Sequence, residues 1–469
     1  MDSAVGQGWG RAATSWREEA RAQARLAGPV VVVQLGLFAM GMVDVIMVGH
    51  APGAVATQMA GVALGSMYTW IVLAFGMGTL MALDPLVSQA LGAGERATVT
   101  RHMQRAVVMA LLLSLGAALL LQFAEPVLRL LGQQETAIPI AAGYARWAVP
   151  GAPAFLLFVV GRQSLQALHA LRPLIVTVVL ANVLNAVLDW GFIRGAWGLP
   201  EMGAVGTSVA TSICRWVMLL SLLWMAWPLL GEHLRPFHWR EARAWGPLWR
   251  TLKLGFPNGA MMDLEIAAFS TISIWMNWLG DTQLAGHYAA LNLAALSFMV
   301  PVGISAAAAV RVGLAIGRGD AEGARRSAKV SLCAGGGVMC ISAVLFALMP
   351  RTLASLYTRD AQVVALAASL LPIAAVFQVF DGLQIVSGGV LRGSGDTRTP
   401  MLVYLFGYWA FGLPLAYWLG IVRGQGPQGM WWALVAALAV VATVLVLRVR
   451  ARLARTVERT DVERRRETA

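Results

Sequence analysis

Apolar runs of 18 or more residues recur along this chain from Val30 to Leu447. A run of that length as a helix crosses roughly 30 Å of hydrocarbon. A bilayer also leaves the backbone few choices, because an N–H or C=O without water must be paired within its own segment. The expected fold class is therefore all-α, an integral membrane protein. Composition agrees. Hydrophobic residues make up 58% and charged residues 13% of 469, too few charges to cover a soluble fold of this size.

Reading the runs against turn and charge signals gives twelve transmembrane helices. They are expected at 28–49, 58–84, 101–123, 138–161, 173–193 and 203–230 in the first half. The second half gives 254–279, 286–310, 327–350, 361–391, 400–422 and 428–447. The domain reading follows: a cytoplasmic lead-in (1–27), an N-lobe (28–230), a linker (231–253), a C-lobe (254–449) and a basic cytoplasmic tail (450–469). With the N-terminus inside, 29 Lys and Arg fall in inside segments and 5 in outside loops. Arg146 and Arg215 lie within spans, which accounts for all 36. That asymmetry follows the positive-inside rule and puts both termini in the cytoplasm. It also explains the net charge of +12 without nucleic acid, which would need the basic residues gathered on one face.

An internal repeat is visible at an offset of 225 residues. Gln58-Met59-Ala60-Gly61 matches Gln283-Leu284-Ala285-Gly286, and Ala90-Leu91-Gly92-Ala93-Gly94-Glu95 matches Ala315-Ile316-Gly317-Arg318-Gly319-Asp320. Six helices per half return the chain to its starting side. The two six-helix lobes should then be related by a pseudo-twofold axis along the membrane normal, a transporter architecture.

An ionisable group inside a span is costly and marks function by default. Asp44 lies 15 residues after Pro29 and Asp189 lies 16 after Pro173, each about 23 Å along its helix from the cytoplasmic side. Asn185 shares a helix face with Asp189, and Thr211 on the next helix reaches a similar level. Two carboxylates, a carboxamide and a hydroxyl suit a small hard cation or a proton. Arg215, one turn after Thr211, opposes cation binding there. Glu265, 12 residues after Lys253, and Asp381, 11 before Arg392, fall about 17 Å deep in the other half. A carboxyl group out of water is more readily protonated near neutral pH, and it also attracts a cationic substrate. Each of these acids has a plain structural alternative as a hydrogen-bonding or ion-pairing group. Asp84 and Asp263 are weaker candidates. Pro150, Gly151 and Pro153 interrupt the fourth span and suggest a kink. No Walker loop, paired His or nucleophile elbow is present, so the chain is not read as an enzyme and no cofactor is expected. Cys214, Cys333 and Cys340 have no metal-ligand spacing.

Met42-Val43-Asp44-Val45-Ile46-Met47-Val48-Gly49 resembles the first-helix motif of the multidrug and toxic compound extrusion (MATE) transporters. Asp84-Pro85-Leu86-Val87-Ser88-Gln89, leading into Gly92-Ala93-Gly94, is similar to that family's second-helix end. The resemblance runs from about residue 28 to 450. Pro257 followed by Glu265, and Phe380-Asp381-Gly382-Leu383-Gln384 before Val390-Leu391-Arg392-Gly393, look most like the NorM-type branch, at the places of its coupling carboxylates. Asn185, Asp189 and Thr211 resemble a cation site of other branches. The resemblance implies multidrug efflux by cation antiport through alternating access: amphipathic organic cations or drugs leave while Na+ or H+ enters. Asp44, Asn185, Asp189 and Thr211 are then the N-lobe ion site, with Na+ as its candidate metal. Glu265 and Asp381 are the C-lobe ion or substrate site. A monomer in a bacterial inner membrane is expected, with the bilayer as its partner and no nucleic acid. The alternative is a flippase for lipid-linked or polar lipid substrates.

Overall fold

The computed structural model describes residues 15–50, 55–455 and 457–463 and, among them, contains helices and no strand. Residues 1–14 of the expected lead-in and 456 and 464–469 of the expected tail lie outside the described residues. Helix α1 (Trp16–Gly49) is followed by α2 (Val55–Leu80), α3 (Leu83–Gly92), α4 (Arg96–Gln122) and the short α5 (Ala124–Leu130). Then come α6 (Ile138–Ala148), α7 (Gly151–Ala167), α8 (Arg172–Arg194) and α9 (Gly206–Leu234). The four-residue α10 (Trp239–Ala242) leads into α11 (Trp245–Leu279), α12 (Asp281–Gly317), α13 (Ala321–Leu348), α14 (Pro350–Tyr357) and α15 (Ala361–Gly393). Helix α16 (Arg398–Tyr404) widens into a π-helical stretch (Leu405–Gly412), narrows at α17 (Leu413–Tyr417) and widens again (Trp418–Val422) before α18 (Gly426–Ala454).

Each of the twelve expected segments falls on helix. Among the described residues, ten helical stretches are long and apolar enough to cross a bilayer by themselves. The fourth expected span is the broken pair α6 and α7, bent by 53°. Pro150 and Gly151 stand at that break, where the missing N–H and the missing Cβ interrupt the helix. The remaining segment, α11, has 35 residues and ample length. It stands outside the count because Asn258, Asp263 and Glu265 dilute its apolar run.

Contacts group the chain into two compact units. One comprises residues 1–34, 88–94 and 260–461, and the other 35–87, 95–259 and 462–469. In the first, α15 packs on α12, α13 and α18 around a core that includes Phe377, Tyr404, Tyr408 and Trp431. In the second, α9 packs on α7 and α8, and α2 on α6.

The repeat reappears as geometry. Gly94 (φ +76°) and Gly319 (φ +74°) both take the left-handed conformation just beyond a helix end, where a side chain would be strained. Within the first unit the preceding glycines meet reciprocally. A Cβ on Gly92 would collide with the Leu314 carbonyl oxygen, and one on Gly317 with the Gln89 carbonyl oxygen. Within that unit the two equivalent motifs thus pack against one another.

The first turns of α1 are anchored in the first unit. Glu19, 2% exposed, forms a two-pronged ion pair with the buried guanidinium of Arg311 and accepts a hydrogen bond from Ser327 Oγ at 2.6 Å. One turn on, Gln23 Nε2 donates to the Ile304 carbonyl at 3.1 Å. Pairing of this kind is what permits a carboxylate to be buried at all.

Candidate functional site

Two acidic clusters occupy the two units. In the second unit, α1 approaches α8 closely at Gly36, where a Cβ would collide with Val178. Asn182 Nδ2 donates to the Gly36 carbonyl at 3.0 Å and holds the approach. Two turns further on α1 lies Asp44, and beyond Asn182 on α8 lie Asn185 and Asp189. Asp44 is 6% exposed, Asn185 and Asp189 are fully buried, and Thr211 from α9 is 7% exposed.

Thr211 Oγ1 donates to Asp44 Oδ2 at 3.1 Å. Asp44 also interacts with Asn185, Asp189 and Arg215. The four residues expected as one site are therefore brought together around Asp44. Their bonding is incomplete: Asp44 Oδ1, both oxygens of Asp189 and both polar atoms of the Asn185 amide are buried without a hydrogen-bond partner among the described residues. Native proteins rarely leave buried polar atoms unmatched, so a cluster of acceptors in this state is suited to a cation or a proton.

Arg215 is the cation that bears on this cluster. Gly151, at the α6–α7 break, lets α9 come close, since a Cβ there would lie 2.9 Å from Ser212 Cα and 3.1 Å from Arg215 Cδ. The Arg215 guanidinium lies 5.2 Å from the Phe155 ring centroid, and its Nη1 has no hydrogen-bond partner. It acts on Asp44 through the field rather than through a bond. Tyr144 of α6 is a further electrostatic neighbour of Asp44, Asp189 and Arg215. No sequence spacing pointed to Tyr144.

In the first unit, Glu265 on α11 and Asp381 on α15 are joined by a residue absent from the expected site. Gln384 Nε2 donates to Glu265 Oε1 at 2.9 Å and to Asp381 Oδ1 at 3.1 Å. Tyr408, in the first π-helical stretch, lies 3.3 Å by its hydroxyl from Glu265 Oε1 and 3.2 Å from Gln384 Oε1. Phe269 and Tyr404 pack on the Tyr408 ring. π-Helical turns recur at functional sites because they re-aim one side chain inside a helix. Gln384 was findable, being three residues from Asp381 and so on the same face. Tyr408 was not, because its direction depends on the local widening of the helix.

The weaker candidates stand apart. Asp84 is buried in the first turn of α3. Asp263, two residues from Glu265, has a buried Oδ1 without a partner. His287 is fully buried, with Nε2 3.1 Å from Ser273 Oγ and Nδ1 accepting from Trp431 Nε1 at 3.2 Å.

Sequence comparison matches the MatE family model twice, at residues 29–190 and 257–418, one copy for each half of the repeat. The chain belongs to the MatE family. Among its MatE relatives, the multidrug resistance protein NorM of Burkholderia vietnamiensis is 37% identical over 438 residues, covering 91% of this chain and 92% of that one. The multidrug resistance protein MdtK of Yersinia pseudotuberculosis serotype O:1b (strain IP 31758) is 33% identical over 441 residues, covering 92% and 95%. The fold matches the eukaryotic MATE transporter AtDTX14 with a TM-score of 0.83 at 22% identity, over 93% of this chain and 99% of that one. A multidrug resistance MATE family transporter of the MOP superfamily, in an outward-facing conformation, matches at a TM-score of 0.81 and 20% identity, over 93% and 96%. This MatE chain is a multi-pass membrane protein of a transporter family and not an enzyme.

Proposed function

We propose that the protein is a secondary active multidrug exporter that works by cation antiport, releasing amphipathic organic cations or drugs outward while Na+ or H+ moves inward. The observation that carries this reading is the cluster of Asp44, Asn185, Asp189 and Thr211, with five buried polar atoms lacking partners. With Arg215 nearby, two ionised carboxylates leave one net negative charge, which a single monovalent cation or proton neutralises. The relatives named as multidrug resistance proteins NorM and MdtK support the substrate class.

In this reading Asp44, Asn185, Asp189 and Thr211 bind the coupling ion. Glu265 and Asp381, held by Gln384 and Tyr408, form a second ion or substrate site. Coupling requires that ion and drug prefer different states in alternating access. The protein sits in a bacterial inner membrane as a monomer with both termini cytoplasmic, as the Lys and Arg asymmetry supports. A flippase of polar lipids would call for a basic patch at its site, and both sites are acidic.

The test is cationic-dye efflux from proteoliposomes with a Na+ gradient and a pH gradient imposed separately. Efflux driven by either gradient is expected, and which one succeeds names the ion. Absence of efflux with both would overturn the antiport reading and put lipid scrambling first.

A further inference from the structure

The segment joining the repeat halves carries a feature that transport does not use. Within the second unit, Trp245 and Trp249 at the start of α11 lie parallel, with centroids 6.1 Å apart and planes 8° apart. They are 71% and 43% exposed. Together with Leu248 and Leu252 they face Met109, Leu112 and Leu113 of α4 across a groove of about 160 Å³. On α4 the groove runs into an apolar stripe, Leu112, Leu115 and Leu119, which is 52%, 70% and 61% exposed. An apolar stripe of that length on a membrane-spanning helix is covered by acyl chains. Paired exposed indoles, in contrast, belong to the headgroup level.

The indole wall of the groove has a cation beside it. Lys253 Nζ lies 5.3 Å from the Trp249 ring centroid, within cation–π range. Arg240, Arg243 and Lys253 are exposed, the two arginines lying within five residues of Trp245 in the chain. Residues 231–253 carry five Lys and Arg against Glu232 and Glu241. The Arg250 guanidinium is already engaged, donating to the carbonyls of Val462 at 2.6 Å and Glu463 at 3.3 Å. One wall of the groove is thus aliphatic, and the other mixes leucines with the paired indoles and has a cation beside it, chemistry that suits an anionic phospholipid. A cationic drug would meet repulsion at the same place.

We propose that the groove between α4 and the start of α11 is a binding site for one anionic phospholipid, its phosphate held by Lys253 and the neighbouring arginines over the Trp245–Trp249 pair, and one acyl chain lying along Met109, Leu112 and Leu113. The site is independent of the coupling ion, and its readout is bound lipid, so it stands or falls separately from the antiport assignment.

The experiment strips the full-length protein of lipid in detergent and titrates it with dioleoylphosphatidylglycerol, dioleoylphosphatidylcholine or inorganic phosphate, counting bound molecules by native mass spectrometry. Phosphatidylglycerol should be retained over phosphatidylcholine by about fivefold for each basic residue engaged. Lys253→Gln should lower that preference by about fivefold. Leu113→Trp, which fills the groove without touching the charge, should remove the bound lipid, and an unchanged elution profile shows that the variant is folded. Equal retention of the two lipids by the wild-type protein, or unchanged retention in both variants, overturns the site. Inorganic phosphate binding as tightly as phosphatidylglycerol would also overturn it, because the groove would then contribute nothing.

Discussion

Around Asp381 every member of the cluster is tied to another: one amide, Gln384, donates to both carboxylates, and Tyr408 lies within hydrogen-bonding distance of Glu265 and Gln384. Around Asp44 one hydrogen bond, from Thr211, is made among the described residues, and the Asn185 amide beside it finds no partner among them. The same residue types are therefore used in opposite ways. An amide in the first unit satisfies two acids, while an amide in the second is left with open bonding capacity. A site that must capture a cation needs acceptors not already spent on the protein. A site that must hold two acids together needs donors.

The sharpest way to break that contrast is to remove a carboxylate from the open cluster. Asp44→Asn should abolish gradient-driven dye efflux and weaken ion binding about a hundredfold, the scale of losing one member of a buried charge cluster. If Asp44→Asn and Asp381→Asn both transported at wild-type rates, neither cluster would be a coupling site. The next comparison exchanges the two amides for leucine. Gln384→Leu strands two acids and should cost about 1–3 kcal/mol of stability in denaturant melts. Asn185→Leu removes a polar group that has no partner, so it should be neutral or stabilising without ion. A flow cell that follows ion binding should nevertheless find it weakened. Equal destabilisation by both substitutions would erase the distinction between the clusters. A smaller loss than that of Gln384→Leu is expected from Tyr408→Phe, about 0.5–1.5 kcal/mol for one hydrogen bond, with efflux slowed and not abolished.

Depth arithmetic from Pro29 and Pro173 sets Asp44 and Asp189 at one level, because a helix advances by a fixed rise. It also put Asn185 on the face of Asp189. The break at Pro150 and Gly151 was legible from the residues themselves, and its 53° bend was not, because packing sets the angle. The lead-in reading stopped at residue 27, whereas α1 runs unbroken from Trp16. Two polar residues of its early turns, Glu19 and Gln23, have buried partners at 311 and 304, and no local pattern reports a partner so distant. Tyr144 and Tyr408 were hidden for a related reason: each joins its cluster from another helix, through tertiary packing alone.

The pair formed by Glu19 and Arg311 spans 292 residues of chain. At about 5–20 residues per second, the ribosome needs roughly 15–60 s to deliver the arginine after the glutamate. Throughout that interval Glu19 is without the guanidinium that pairs with it in the folded chain, so the opening turns of α1 are anchored only after residue 311 has been made. The anchor of the first described helix is therefore completed late in synthesis.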